Sequence, residues 1–262
     1  MIYPSLAASQ FHRAKSGRQH PLSARGFSLL ELMIAIFITV FIVAGMLGII
    51  VSMRGSFTTQ DQLQRVQENE RFALTVLDNT IRNAGYFSDP RNVTSDTAFP
   101  LQSAQNPDGT QFAASQSVSG TTGSGAVNDT VNVRFQTLGG DGITNCLGAT
   151  SAAGAMDTWT NSFSINSQNQ LVCSVISSGT TRQTETLVDN VASMKILYGV
   201  DTNSDGSADK YVDASAIGAS PAWTDVNSVQ LVIKFQDLVN PKTGSVVTPI
   251  AITHNISLMN KP

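Results

Sequence analysis

The sequence predicts an α+β protein, with one long helix at the start and a run of strands after it. Three observations lead there. Phe27 to Met53 is predominantly apolar and carries no charge except Glu31. From Arg54 to Ala84 the apolar continuity breaks but Leu63, Val66, Ala73, Leu77, Ile81 and Ala84 recur at helical steps, so one stripe is built to meet a core. Beyond residue 130, short segments of alternating or β-branched residues follow one another, separated by turn-forming residues.

The first element is long enough to cross a bilayer. About 27 residues at 1.5 Å rise give roughly 40 Å, against a hydrocarbon core of about 30 Å. A secretory signal would be shorter and would end in small residues, which this run does not. Residues 1–26 hold Arg13, Lys15, Arg18 and Arg25 and no acid, the charge pattern of a cytoplasmic flank. Removing them leaves 12 basic against 19 acidic groups, a net of −7. Such an acidic remainder disfavours nucleic acid as a partner.

The second element has a polar face of Asp61, Arg65, Glu68, Arg71, Asp78 and Arg82, and Phe72, Leu74 and Leu77 are expected to pack. Gly85 is a natural stop, with Pro90 beyond it. The spacing predicts a helix from Phe27 to Ala84, about 58 residues and roughly 87 Å long.

Residues 87–130 are rich in Pro, Asp, Asn and Ser and read as a long ordered loop, with the Gly-rich 120–125 flexible. No Lys-Ser/Thr pair follows those glycines, so a phosphate loop is excluded. "TVNVRFQ" alternates Val131, Val133 and Phe135, and "SFSINSQNQLVCSVI" reads as a hairpin turning at Ser167–Gln170. "MKILYGV", "SVQLVIKF" and "AITHNISLM" complete the strands, expected to form an antiparallel sheet resting on the helix stripe.

"RGFSLLELMIAIF" resembles the N-terminal signature of type IV prepilins: a basic residue, Gly26, the aromatic Phe27, then Leu and Glu31. The resemblance implies cleavage between Gly26 and Phe27 by a prepilin peptidase, N-methylation of Phe27, and retention of the apolar helix. Glu31 then opposes the Phe27 ammonium of its own chain or a neighbour. An unpaired charge inside a membrane is penalised whereas a matched pair is not, so this pair selects packing register. Where many major pilins carry a proline, this chain has Gly48, with Gly45 one turn earlier.

"QENERFALTVLDNTIRNAGYF" is similar to the PilW family of minor pilins, and "LYGVDTNSDG" and the Trp223 segment add a looser likeness. A pilin-like fold is implied: a leader at 1–26, the transmembrane half of the helix at 27–53, its amphipathic half at 54–86, and a β-rich head at 87–262. So is a single-pass inner-membrane protein with a periplasmic head, later part of the pilus near its tip. The implied partners are other minor pilins, the major pilin, the prepilin peptidase, the inner-membrane assembly platform and a large tip adhesin. The implied role is a tip complex that primes pilus assembly. A minor pseudopilin of a type II secretion system and a tip binding or adhesion module are the alternatives.

Two further features belong to the head. Cys146 and Cys173, 27 positions apart, both fall in the expected extracytoplasmic part and suit a disulfide better than zinc, which wants four ligands where the processed chain has only His254. In "DTNSDGSADKYVD", Asp201, Asn203, Asp205 and Gly206 match the first half of a calcium loop, with Ser207 offering a carbonyl and Asp209 a carboxylate. The twelfth position is Val212, where an EF-hand has glutamate, although Asp213 is next to it. The competing reading is an Asp-Gly turn between two strands, without metal. No catalytic cluster is legible, since His12 and His20 are in the leader and His254 sits in a strand-like run; an enzyme is not expected.

Overall fold

The computed structural model describes residues 26–102, 104–125, 127–177, 182–218, 222–236 and 251–259, without the side chains of 58, 59, 62 and 63. Residues 1–25 of the leader expected at 1–26, and the Leu63 side chain, therefore lie outside the described residues. The chain divides into two units at Gly55/Ser56.

Helix α1, Leu29–Arg82, contributes to both units and is slightly shorter at each end than its periodicity suggests. In the first unit, Leu29 onward to Phe57 is long and apolar enough to cross a membrane. Every described residue there is exposed. Thr39 donates its hydroxyl to the Ala35 carbonyl at 2.7 Å, which satisfies this polar group within its own helix.

In the second unit, α1 is followed by a turn that closes on Gly85. Gly85 takes φ +79°, and its N–H donates to the Arg134 carbonyl at 3.0 Å. The residue that stops the helix thus also ties the chain to a strand.

The expected single sheet is two. β1 (Val118–Thr121), β2 (Thr130–Leu138), β3 (Met156–Ile165), β4 (Leu171–Ser177) and β5 (Gln183–Val188) form a five-stranded antiparallel sheet in that order. β6 (Val191–Val200), β7 (Lys210–Val212), β8 (Val226–Phe235) and β9 (Ala251–Ser257) form a second, ordered β7-β6-β8-β9. A helical turn, α2 (Ser95–Ala98), and strand β1 lie inside the stretch read as loop, and Gly120 and Thr121 are strand residues. Gly120 is needed there because a Cβ would collide with the Tyr198 hydroxyl and the Thr130 carbonyl.

One face of each sheet meets the helix stripe in a single core. Val66, Ala73, Leu77 and Ile81 join Val131, Val133, Phe163 and Cys173 of the first sheet and Ile196, Leu231 and Ile233 of the second. Burying each large side chain contributes about 1.5–3 kcal/mol. Phe72, expected to pack, is instead 46% exposed. It falls off the stripe, since the inward positions 66, 73, 77 and 81 leave it on the flank of the helix.

The sheets are joined by an ion pair between a buried carboxylate and a half-exposed lysine. Asp129, just before β2, accepts from the Lys195 ammonium at 3.0 Å and from the Ile196 N–H at 2.7 Å, both in β6. Its own N–H donates to the Met194 carbonyl at 3.1 Å. With three contacts to one strand, this carboxylate fixes how the two sheets meet.

β2 is buried on both faces, unlike the one-sided strand its alternation suggests. Val131 and Val133 face the core, while Asn132 and Arg134 face residues 99–117, which lie over the opposite side.

Candidate functional sites

The prepilin-like segment stands where α1 begins. Gly26, Phe27 and Ser28 are outside the helix, and the Ser28 carbonyl accepts the first bond, from the Leu32 N–H at 3.1 Å. The Gly26–Phe27 peptide therefore lies in non-helical backbone next to a helix start, and Phe27 is 82% exposed. Among the described residues, a Cβ at Gly26 would meet no atom within 4 Å. Glu31 lies in the first helical turn, where an anion is favoured by the helix dipole and by N–H groups that have no partner inside the helix.

The second site is the β6–β7 connection. Asp201 is buried, and its Oδ1 accepts from the N–H groups of Ser204 at 2.6 Å and Asp205 at 3.3 Å, while Oδ2 accepts from Gly206 at 2.9 Å. Asp205 Oδ1 accepts from the Ser207 N–H at 2.8 Å. Asp209 Oδ2 accepts from both the N–H and the hydroxyl of Thr202, each at 2.7 Å, and these bonds hold its carboxyl below the usual carboxylate range. The Asn203 amide N–H₂ reaches Asp205 Oδ2 at 3.1 Å and Asp209 Oδ1 at 3.2 Å.

Asp201, Asn203, Asp205 and Asp209 are thus brought together, and their oxygens close the turn. Ser204, at φ +64°, and Gly206, at φ +88°, supply its sharp bends. Ser207 enters through its N–H. Among the described residues no three His, Cys, Asp or Glu side chains gather as a group able to hold a metal. The Asn203 amide occupies the place between two carboxylates that a cation would take, so binding would require that amide to turn its oxygen inward.

The third site is covalent. Cys146 and Cys173 are joined by a disulfide, with their Cα atoms 6.5 Å apart. Cys173 sits in the core row of β4, and Cys146 lies in the β2–β3 connection, its N–H given to the buried Asn161 Oδ1 at 2.9 Å. The bond fastens that long connection to the sheet.

His254 lies in β9, as expected, but it is not idle. Its Nε2 is 3.0 Å from Asp78 Oδ1, and the same carboxylate takes the Arg82 guanidinium at 3.0 Å. Asp78, read as part of a solvated face, therefore fastens the edge strand to the helix. Arg134 was likewise illegible, because a lone cation in an alternating strand reads as a solvent-facing residue.

Comparison with known proteins adds the following. The family model for type IV pilus-assembly protein W matches residues 156–251, from β3 to the start of β9. We found no match among curated proteins. Among solved structures, the chain is similar to the type IV-like pilin TTHA1219 from Thermus thermophilus, at 12% identity and a TM-score of 0.42, covering 75% of this chain and 96% of that one. A likeness of that size supports no further step. The match over residues 156–251 spans less than half of the chain and agrees with its prepilin-like start: over that stretch the chain is similar to the family of type IV pilus-assembly protein W.

Proposed function

We propose that the chain is a minor pilin of the type IV pilus, cut between Gly26 and Phe27, methylated at Phe27, and held by α1 in the inner membrane with its head in the periplasm. From there it joins other minor pilins and the major pilin in a tip complex that primes assembly. The observation that carries this reading is Gly26. Among the described residues a Cβ at Gly26 would meet no atom within 4 Å, and the exposed, non-helical Gly26–Phe27 peptide is open to approach by a peptidase.

Glu31 has the second role. In the membrane an isolated carboxylate is costly, about 2.5–3.5 kcal/mol at a helix centre and less near its end. The Phe27 ammonium released by cleavage neutralises it, and because the pair forms only at one register, it selects how helices associate. The test is the N-terminal mass of the mature protein together with its recovery in sheared pili. Wild type should begin at methylated Phe27 and enter pili; Glu31→Ala should be cleaved equally well yet be lost from the pili. A variant incorporated at the wild-type level would remove the assembly role of the pair.

For the β6–β7 loop we propose that calcium binds through Asp201, Asn203, Asp205, Ser207 and Asp209, with the Asn203 amide turned to present its oxygen, and stiffens the hairpin. Support comes from the convergence of four oxygen-bearing side chains on one turn. The full chain in detergent should then melt higher in calcium than in chelator, and Asp205→Ala should abolish the difference. Equal melting in both leaves the Asn203-closed turn as the whole explanation.

A further inference from the structure

Residues 87–117, between the helix stop and β1, carry an apolar cluster of their own. Ala98, Phe99 and Phe112 are buried, yet none belongs to the core formed by α1 and the two sheets. Phe87 meets Phe99 edge-on at 5.8 Å. Arg134 reaches into this cluster from β2, 5.3 Å from the Phe99 ring centre and 4.9 Å from that of Phe112. A cation over two ring faces is favourable in a dry setting.

The same guanidinium ties the segment together. It donates to the carbonyls of Gln116 at 2.5 Å, Pro100 at 2.7 Å, Ala113 at 2.6 Å and Phe99 at 3.1 Å. Those carbonyls belong to residues 99–100 and 113–116, so one side chain closes the stretch between them as a loop. Asp108 supplies a second tether, accepting from the Thr130 hydroxyl at 2.5 Å and the Asn132 amide at 2.7 Å. The segment's other backbone bonds are largely internal, such as Gln102 N–H to Phe112 and Ser115 N–H to Phe99.

The sheet face beneath is patterned for water. Ser119, Asn132, Ser162, Ser174 and Thr184 form one row across all five strands. Alternating polar residues of this kind belong on a solvated face, yet the first four are buried. The layer is also imperfectly satisfied. Gln102 Oε1 and Asn106 Oδ1 on the segment, and Asn132 Oδ1 and Ser162 Oγ on the sheet, are buried without a hydrogen-bond partner. Lifting the segment would hydrate all four and leave the main core closed, because that core lies on the other face.

From these features we infer that residues 87–117 are a strap that opens and recloses as a unit while the helix and both sheets stay folded, with Arg134 as its latch. Native hydrogen exchange on the full chain in detergent micelles tests this, comparing peptides that cover 99–117 with peptides that cover β6 and β8. Strap peptides should exchange about 100-fold faster or more, as expected of a sub-global opening. Arg134→Lys keeps the charge but loses the fork, and should speed strap exchange about tenfold while β6 and β8 are unchanged. Strap peptides exchanging together with β6 and β8 in the wild type would overturn the strap. A folded Arg134→Lys that leaves strap exchange unaltered, or that speeds both regions alike, would overturn the latch. If the variant does not fold, the wild-type profile alone decides the first point.

Discussion

Glu70 and Asp78 lie two turns apart on α1 and respond to the fold in opposite ways. Glu70 shares a face with Val66, Ala73 and Leu77; burial raises its pKa, and its Oε1 has no partner. At Asp78 burial also pushes upward, but hydrogen bonds from Arg82 and His254 outweigh it, and the carboxyl ends lowered. The signs of their pH effects follow. An acid with a raised folded pKa detracts from stability once pH exceeds its unfolded value, so Glu70→Gln should raise Tm at pH 7 and lose that advantage near about pH 4. An acid with a lowered folded pKa contributes above its unfolded value and loses the contribution as pH falls through the folded one. Asp78→Asn should therefore lower Tm at pH 7 and matter less in acid. Thermal melts of both variants between those pH values check the pair; parallel curves for the two would contradict it.

At the scale of elements, the disulfide and the strands show what could be read beforehand. Closing a loop of the Cys146–Cys173 separation, 27 residues, contributes about 3 kcal/mol. Replacing both cysteines by serine should lower the unfolding free energy by about that amount, measured by denaturant titration, with a change near zero contradicting it. Strands whose alternation or β-branched content exceeded their surroundings, such as β2, β6 and β8, were legible. β5, "QTETLV", was not: it is an edge strand with four exposed polar residues, and its pairing to β4 comes from position, not pattern. β1 was hidden by its Gly-rich sequence, where the glycine answers a tertiary contact with Tyr198. Of the candidate sites, the prepilin-like pattern is local, so its expected cleavage position and charge pair could be named from the sequence alone. The roles of Arg134, Asp129 and Asp78 were not, because each depends on partners from distant elements.

For the whole molecule, two demands act on one chain. The head closes its own core and seals its long connections with a disulfide and an ion pair. The first unit, by contrast, leaves its apolar helix exposed on every side and places a carboxylate in its first turn, a surface that is stable only against lipid or other helices. This division suits the proposed role in assembly. The most direct measurement is the number of surface pili in a deletion strain, taken alongside the secretion of exoproteins by the same cells. Pili should be lost, secretion should be normal, and the wild-type chain but not Glu31→Ala should restore the pili. Normal pili with lost secretion would contradict the pilus role and make the chain a pseudopilin of the secretion machine.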